Sequence, residues 1–278
     1  MNINLQDIAS NIYQASDGIW YSNNTSPISY PEDGNHTLNI LQQNSFWFQH
    51  RNHFLNEVML KFAPQTPFFD IGGGTGFVSK MVQDKIGEAV LVEPQADGYL
   101  QAQKYGIQHM IASTTIDAQF KENVLDSAGM FDVVEHIEDD YGFMRSIHSY
   151  LKPNASVYIT VPAIPFLWSD EDIEAGHYRR YTRETLEKLL KETGFEIDYC
   201  SYFFSFLYLP LFLFRSLPSK LGIKRAVSDL NKLKKEHTNR QGMSNHILQW
   251  FMQRELNSIQ RGKTINYGTS LVIVGRKR

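Results

Sequence analysis

The sequence predicts an α/β fold with a doubly wound, mostly parallel sheet of seven strands and helices on both faces. The first observation is that short apolar, β-prone runs alternate with helical patterns along the chain. The second is that acidic residues stand at the ends of three of these runs, where ligands bind in such sheets. The third is a turn with four glycines directly after the first run, within Gly72–Gly76.

Each core element follows from its local pattern. Apolar runs bounded by turn residues predict strands, and apolar positions at helical spacing predict the helices between them. Thr182 is the expected N-cap of the last of these helices, and Gly194 is its expected C′ residue. The predicted strands are Pro67–Ile71, Ala89–Glu93, Ile107–Ala112, Asp126–Phe131, Ser156–Val161, Glu196–Tyr202 and Ser270–Gly275, and the predicted helices are Val78–Lys85, Gly98–Tyr105, Tyr141–Leu151 and Arg183–Thr193.

Two additions flank the predicted core. Residues 1–62 are expected to form an N-terminal helical cap, and residues 63–278 the main domain, with an insert at 202–263 before the last strand. A helix in the cap is expected to begin near Thr37 or Ser45, and it carries aromatic residues at helical spacing. This helix either packs on the core through its aromatics or covers a bound ligand, and the two interpretations are compatible.

The glycine turn excludes two common nucleotide sites. A phosphate loop needs Gly-x-x-x-x-Gly-Lys-Ser/Thr, but Lys80 here follows Ser79. A dinucleotide fingerprint needs Gly-x-Gly-x-x-Gly, whereas Gly72–Gly76 has the spacing Gly-x-Gly-x-Gly. Asp70 beside the loop would repel a pyrophosphate and attract a cationic amine or sulfonium. An ordinary strand-to-helix turn is the alternative interpretation of this segment.

Glu93 makes a nucleoside the expected ligand. It ends the second predicted strand, about twenty residues beyond the glycines, where an acid is placed to bind a ribose. A carboxylate has two acceptor oxygens, which suit the two hydroxyls of a ribose.

At these positions the chain resembles the class I S-adenosylmethionine-dependent methyltransferases, whose fold is Rossmann-like. Asp70-x-Gly72-x-Gly74-x-Gly76 followed by Glu93 is similar to their cofactor motif. Further resemblances extend over most of the chain from about residue 46, and one loop is similar to that of a bacterial subgroup with unassigned or varied substrates. The segments are Phe131–Asp139, Leu151–Ala155 (usually Leu-Lys-Pro-Gly-Gly), Phe46–Asn52, Leu167–Asp172 and the subgroup's Gly-His-x-Arg-Arg-Tyr loop at Gly176–Tyr181.

The resemblance implies S-adenosylmethionine as the cofactor and assigns its contacts. The methionine part would lie along the glycine loop, the ribose at Glu93, and the adenine beside the turn at Pro94. The family often has an acid after the third strand for the adenine amine, where this chain has Thr114 or Thr115 with Asp117 nearby. The implied cofactor-binding residues are Asp70, Gly72, Gly73, Gly74, Gly76, Glu93, Pro94, Thr114, Thr115, Asp132 and, near the methionyl carboxylate, Arg51.

The resemblance also implies methyl transfer to an O or N atom of a small-molecule, sugar or lipid-linked acceptor. Such transfer depends mainly on positioning, with a general base contributing if the acceptor must lose a proton. For His136 the alternative to catalysis is a structural role, in which its hydrogen bonds hold a loop in place. For the loop at 176–181 the alternative is also structural: salt bridges of Arg179 or Arg180 with Glu171 or Asp172 would anchor the loop. The candidate catalytic residues are His177, Tyr178, Tyr181, Asp132 and His136.

Other functions remain open. The same fold can support a cyclase or lyase that consumes S-adenosylmethionine, and a non-catalytic, membrane-associated module is a third reading. An apolar run from Tyr202 precedes basic residues, so 202–235 is either a peripheral membrane contact or a strand that continues into a buried helix with a solvated basic face.

Composition sets further limits. The net charge of −3 over 278 residues argues against a nucleic-acid partner. The single cysteine, Cys200, excludes an internal disulfide and is expected to be a buried, inert thiol. His50 and His53 lack an evident third ligand, so no metal site is predicted.

Met1–Ser10 has no signal-peptide pattern, which favours a cytoplasmic protein, with the inner face of the membrane as the site of any peripheral contact. The sequence does not predict an oligomeric state.

Overall fold

A computed structural model describes residues 3–29, 45–223 and 243–278. In these residues nine strands form one sheet, in the spatial order β1-β2-β5-β4-β3-β6-β7-β9-β8. The strands are β1 (Ile12–Gln14), β2 (Trp20–Ser22), β3 (Phe68–Ile71), β4 (Ala89–Val92), β5 (His109–Ala112), β6 (Leu125–Phe131), β7 (Leu151–Pro162), β8 (Phe195–Phe203) and β9 (Ser270–Lys277).

The sheet is mixed. Its five central strands, from β5 through β4, β3 and β6 to β7, are all parallel. At one edge β9 runs antiparallel to both β7 and β8. At the other edge an N-terminal hairpin of β1 and β2 joins the sheet, with β2 parallel to β5. All seven predicted strands therefore form, but the prediction of a seven-stranded, mostly parallel sheet is corrected by the two added strands.

The hairpin also corrects the description of residues 1–62 as helical. β1 and β2 have three residues each, too short to show an alternating pattern. Gly18 takes φ +84° in the turn between them, and the Asp17 carboxylate accepts the backbone N–H of Ile19 at 2.9 Å. Ile19 is fully buried, and this burial attaches the hairpin to the sheet. The boundary at residue 62 stays a prediction.

The helices lie close to their predicted positions. Ser45 caps α1 by accepting the backbone N–H of Trp47, and Thr37 lies outside the described residues. Thr182 caps α6, and Gly194 takes φ +98° after it, as expected. The α-helices of at least five residues are α1 (Phe46–Lys61), α2 (Phe77–Lys85), α3 (Ala96–Lys104), α4 (Asp140–Tyr150), α5 (Asp170–Glu174), α6 (Arg183–Glu192) and, from the insert, α7 (Met243–Gln260).

Helix α1 packs on the core through its aromatic face, as one interpretation predicted. Phe54 is fully buried and stacks on Phe203 with ring centroids 4.5 Å apart. On the same helix the buried His50 ring pairs with Glu255 of α7 at 2.8 Å. Glu255 also accepts the backbone N–H groups of Phe204 and Ser205. One buried carboxylate thus joins α1, α7 and the end of β8.

The insert is not the buried helix that one interpretation of its apolar run predicted. After β8 the chain forms a helical segment from Tyr208 to Lys220 whose centre has π-helical hydrogen bonding. Leu209 is 63% exposed and Phe214 63% exposed. The predicted basic residues Lys224, Arg225, Lys232, Lys234 and Lys235 lie outside the described residues. Among the helices that the structure describes, none has the length and apolar content required to cross a membrane.

Cys200 lies on β8 and is buried. The expectation of a buried thiol is confirmed, and burial raises the pKa of the thiol to about 12, which supports its expected lack of reactivity.

Candidate active site

The carboxyl ends of the central strands form the candidate site. β3 lies between β4 and β6, so the chain winds away from β3 in both directions and leaves a crevice at this switch point. The glycine loop follows β3, Glu93 follows β4, and Asp132 follows β6. The topology therefore brings three of the predicted site positions to one edge of the sheet.

The loop needs its glycines for two physical reasons. Gly72 and Gly74 have φ of +67° and +56°, angles that other residues adopt at a cost. A Cβ on Gly73 would lie 2.5 Å from both the Asp70 carboxylate and the Leu91 side chain. The bare backbone at Gly73 thus packs directly against the end of the sheet, where there is no room for a side chain.

Asp70 lies beneath this loop and is fully buried. Its Oδ2 accepts the backbone N–H and the hydroxyl of Ser79, at 3.0 and 2.8 Å, which fixes the loop to the first turn of α2. Burial raises the pKa of the carboxyl to about 6, against the smaller opposing effect of the Ser79 hydrogen bonds. The loop covers the carboxylate, and a role of Asp70 in binding the cofactor stays a prediction.

The Glu93 carboxylate has a geometry suited to accept hydrogen bonds from a diol. Its two oxygens each accept one backbone N–H at 2.8 Å, from Gly74 and from Gln95. A carboxylate offers about four lone-pair positions, so it can accept several donors at once. The half-buried Pro94 follows directly. The carboxylate is thereby aimed by the same loop that would border the ligand.

The predicted adenine contacts have protein partners of their own. The Thr114 hydroxyl donates to Asp117 at 3.0 Å, and Asp117 accepts the backbone N–H and hydroxyl of Ser26 at 2.9 and 2.7 Å. Thr115 is buried. This cluster ties the loop after β5 to the N-terminal segment, and adenine recognition by Thr114 or Thr115 stays a prediction.

Arg51 reaches the site from α1. Its Nε and Nη2 lie 2.8 and 2.6 Å from Oδ2 of Asp132. Asp132 has φ +61°, and its other oxygen accepts the Thr160 hydroxyl at 3.2 Å. Holding a non-glycine residue at a positive φ stores strain, and such positions concentrate at functional sites. Helix α1 is therefore both packed on the core and in contact with the site.

Three further side chains meet beside Asp132: Glu135, His136 and His177. Potential ligand atoms of these three residues all lie within 4.8 Å of one another. Burial, and then the nearby Asp132 carboxylate, raises the pKa of Glu135 well above its usual value. Burial and then His177 lower the pKa of His136 to about 4, so this ring is neutral at pH 7. The prediction of no metal site overlooked this cluster, because its members come from two loops that are distant in sequence.

The loop at 176–181 is anchored as one interpretation predicted. The Asp172 carboxylate pairs with His177 Nδ1 at 2.9 Å and with Arg180 Nε at 2.8 Å. Burial opposes ionisation of Asp172, but the His177 hydrogen bond and the Arg180 charge outweigh it and lower its pKa. Arg179 instead pairs with Asp140 at 2.8 Å.

The two tyrosines of this loop have different surroundings. Tyr181 is buried in the core and donates to Asp140 at 2.8 Å, so its hydroxyl has a structural partner, and its catalytic role stays a prediction. Tyr178 is 45% exposed, and its backbone N–H donates to the Glu135 carbonyl. Glu135 itself was missed in the sequence, although it directly precedes His136.

The sequence matches the family described as methyltransferase domain over residues 45–199, more than half of the 278-residue chain. The chain belongs to this methyltransferase family. It is thus an enzyme of the S-adenosylmethionine-dependent class, with S-adenosylmethionine as its cofactor. The glycine loop and the Glu93 carboxylate fit that cofactor. No curated protein shows a sequence match to the chain.

Solved structures of methyltransferases share the fold. Phosphoethanolamine N-methyltransferase 2 of Haemonchus contortus, in complex with phosphomonomethylethanolamine and S-adenosylhomocysteine, is 16% identical with a TM-score of 0.56, over 90% of this chain and 58% of that chain. A Thermotoga maritima protein described as a possible histamine N-methyltransferase is 17% identical with a TM-score of 0.55, over 90% of this chain and 100% of that one. The chain thus spans 58% of the Haemonchus enzyme's length.

Proposed function

We propose that this methyltransferase transfers the methyl group to an O or N atom of a small-molecule, sugar or lipid-linked acceptor. The observation that carries the proposal is the Glu93 carboxylate, aimed by the Gly74 backbone N–H beside a loop of bare backbone. The Gly-His-x-Arg-Arg-Tyr loop supports a place in the bacterial subgroup with that motif.

The proposed cofactor contacts follow the crevice. Glu93 receives the ribose hydroxyls, Pro94 borders the adenine, and Gly72–Gly74 admits the methionine part. Arg51 is the one cation of α1 that reaches this edge, so it would exchange its contact with Asp132 for one with the methionyl carboxylate. When bound, S-adenosylmethionine supplies a methyl group on a sulfonium, with a neutral thioether as the leaving group.

The acceptor would approach over Asp132, His136 and His177. His177 is the favoured proton acceptor of the metal-free protein, because the Asp172 carboxylate engages Nδ1 and leaves the lone pair on Nε2. His136 contacts the His177 ring with centroids 4.7 Å apart and supports its orientation.

The test is a product assay with S-adenosylmethionine and a panel of amine and hydroxyl acceptors. We expect S-adenosylhomocysteine only when an acceptor is present, and we expect His177→Gln to lower the rate about 10²–10⁴-fold. His148→Gln, on α4 away from the crevice, is the matched control and should retain full rate. Methylthioadenosine released without an acceptor would instead establish the cyclase or lyase alternative.

A second proposal concerns membranes. We propose that the segment Tyr208–Lys220 makes a peripheral contact with an anionic membrane, because it exposes Leu209, Leu213 and Phe214 next to Lys220. Flotation with anionic liposomes tests this idea. Phe214→Ser should reduce binding, whereas Leu60→Ser, an equally apolar and 56% exposed position on α1, should not. A native protein that stays with the soluble fraction would refute the contact.

A further inference from the structure

We propose that Glu135, His136 and His177 form a binding site for one divalent transition-metal ion of the zinc type. Glu135 and His136 lie in the single helical turn after β6, and His177 lies in the loop after α5. Potential ligand atoms of all three lie within 4.8 Å of one another. Two loops that are some forty residues apart in sequence thus converge on one point beside the crevice.

The donor set selects the class of metal. Two imidazole nitrogens and one carboxylate oxygen suit zinc and its divalent neighbours better than magnesium or calcium, which prefer oxygen ligands. Zinc bonds to these atoms are about 2.0–2.2 Å long, so tetrahedral ligands lie roughly 3.3–3.5 Å from one another. The observed separations need to shorten by at most about 1.5 Å, a movement within the reach of side-chain rotation.

The surroundings of His177 match those of a metal-bound histidine. Its Nδ1 lies 2.9 Å from the buried Asp172 carboxylate, which leaves Nε2 as the ring nitrogen that can bind a metal. Metal-ligating histidines usually donate their second ring N–H to such a carboxylate, which fixes the ring orientation. Arg180 and the backbone N–H of Ser169 hold Asp172 in turn, so the support of this ligand is itself rigid.

Glu135 supplies the second, independent observation. Glu135 is only 1% exposed, and its Oε2 has no hydrogen-bond partner among the described residues. A buried carboxylate oxygen without a partner is costly to the fold. Neighbouring Asp132 does not relieve that cost, because it is itself acidic and already engaged by Arg51. A cation between Glu135 and the two imidazoles would provide the missing partner.

Three protein ligands leave at least one coordination position open. In catalytic zinc sites that position holds water or substrate. Here it would face the proposed acceptor side of the crevice, so the metal would bind the acceptor's oxygen or nitrogen and lower its proton affinity. This last step rests on the proposed function, and in the metal-loaded protein it replaces the base role of His177. Metal binding itself rests only on the geometry of the three side chains.

The test uses Co²⁺ as a spectroscopic probe of the full chain, after treatment with a chelator and without cofactor. We expect one equivalent to bind, with the intense visible absorption of a tetrahedral site. His177→Ala and Glu135→Gln should each weaken binding by at least the roughly 100-fold that loss of a supporting partner can cost. The control His148→Ala should bind as the native chain does. X-ray absorption of the zinc-loaded native protein should show two imidazoles, a result that needs no variant.

Absence of stoichiometric Co²⁺ binding by the native chain would overturn the proposal. Equal affinity in native, His177→Ala and Glu135→Gln proteins would overturn it as well, because the metal would then lie elsewhere. Calorimetric binding of S-adenosylmethionine to the same chelated samples reports separately on the cofactor site. Binding of the cofactor without binding of metal would refute only the metal site. Binding of metal without binding of the cofactor would refute only the proposed function.

Discussion

Asp70→Asn should change how stability depends on pH. The carboxyl is fully buried, and burial raises its pKa from 3.8 to about 6. Between these values the folded state binds more protons than the unfolded state, so the native protein loses stability as pH rises from about 4 to 6. A difference of 2.2 pH units at 1.36 kcal/mol each amounts to about 3 kcal/mol at pH 7.

Asparagine keeps an oxygen that can accept both hydrogen bonds from Ser79 but does not ionise. The free energy of unfolding of the variant, measured relative to that of the native protein, should therefore rise by about 3 kcal/mol from pH 4 to pH 7. Urea denaturation of both proteins at several pH values measures this difference, with the 52%-exposed Asp84→Asn as a control that shows no such trend. A difference in stability between variant and native protein that stays constant across this range would refute the reasoning.

Three other substitutions probe the site and its support. Glu93→Gln should weaken S-adenosylmethionine binding by about 1.5–3 kcal/mol, or roughly 10–150-fold by calorimetry, because a charge-assisted hydrogen bond is lost; Glu88→Gln, before the opposite end of β4, should bind normally. Gly73→Ala should abolish measurable cofactor binding, since its Cβ would meet Asp70 at 2.5 Å; an unchanged affinity would show that the loop is looser than described. Glu255→Ala should lower the free energy of unfolding, measured by urea denaturation, by about 3–5 kcal/mol, because buried donors lose their acceptor. Gln253→Ala, at an exposed position, should change it by no more than about 0.5 kcal/mol.

The central sheet was predictable because its signals are local. β3 and β4 are wholly buried, and all their residues except Asp70 are apolar; Gly72 directly follows β3 and Glu93 directly follows β4. The start of β7 shows the same local logic, since Asn154 takes φ +65° where the resembled family usually has glycine. Elements of this kind are fixed by backbone sterics and burial, both of which leave a mark in a few consecutive residues.

Features that depend on distant partners were not predictable in the same way. The β1–β2 hairpin forms because Trp20 and Tyr21 pair with β5, about ninety residues away. The ion pair of Arg51 with Asp132 joins α1 to the end of β6. The sequence names such residues as candidates, but only the fold determines which of them meet.

The exposed apolar face shows the limit of composition. The run from Tyr202 is apolar enough for a core, and Phe203 and Phe204 are indeed buried. Beyond them the same composition continues onto the surface at Leu209 and Phe214. Buried positions are mostly apolar, but an apolar residue is not necessarily buried, because much of a protein's surface is also apolar.

A crystal structure with S-adenosylhomocysteine tests the central claim most directly. Both ribose hydroxyls should lie within hydrogen-bond distance, about 2.5–3.0 Å, of the Glu93 carboxylate, with the homocysteine part along Gly72–Gly74. A nucleoside bound away from Glu93, or a crevice from which the ligand is absent at saturating concentration, would contradict the account.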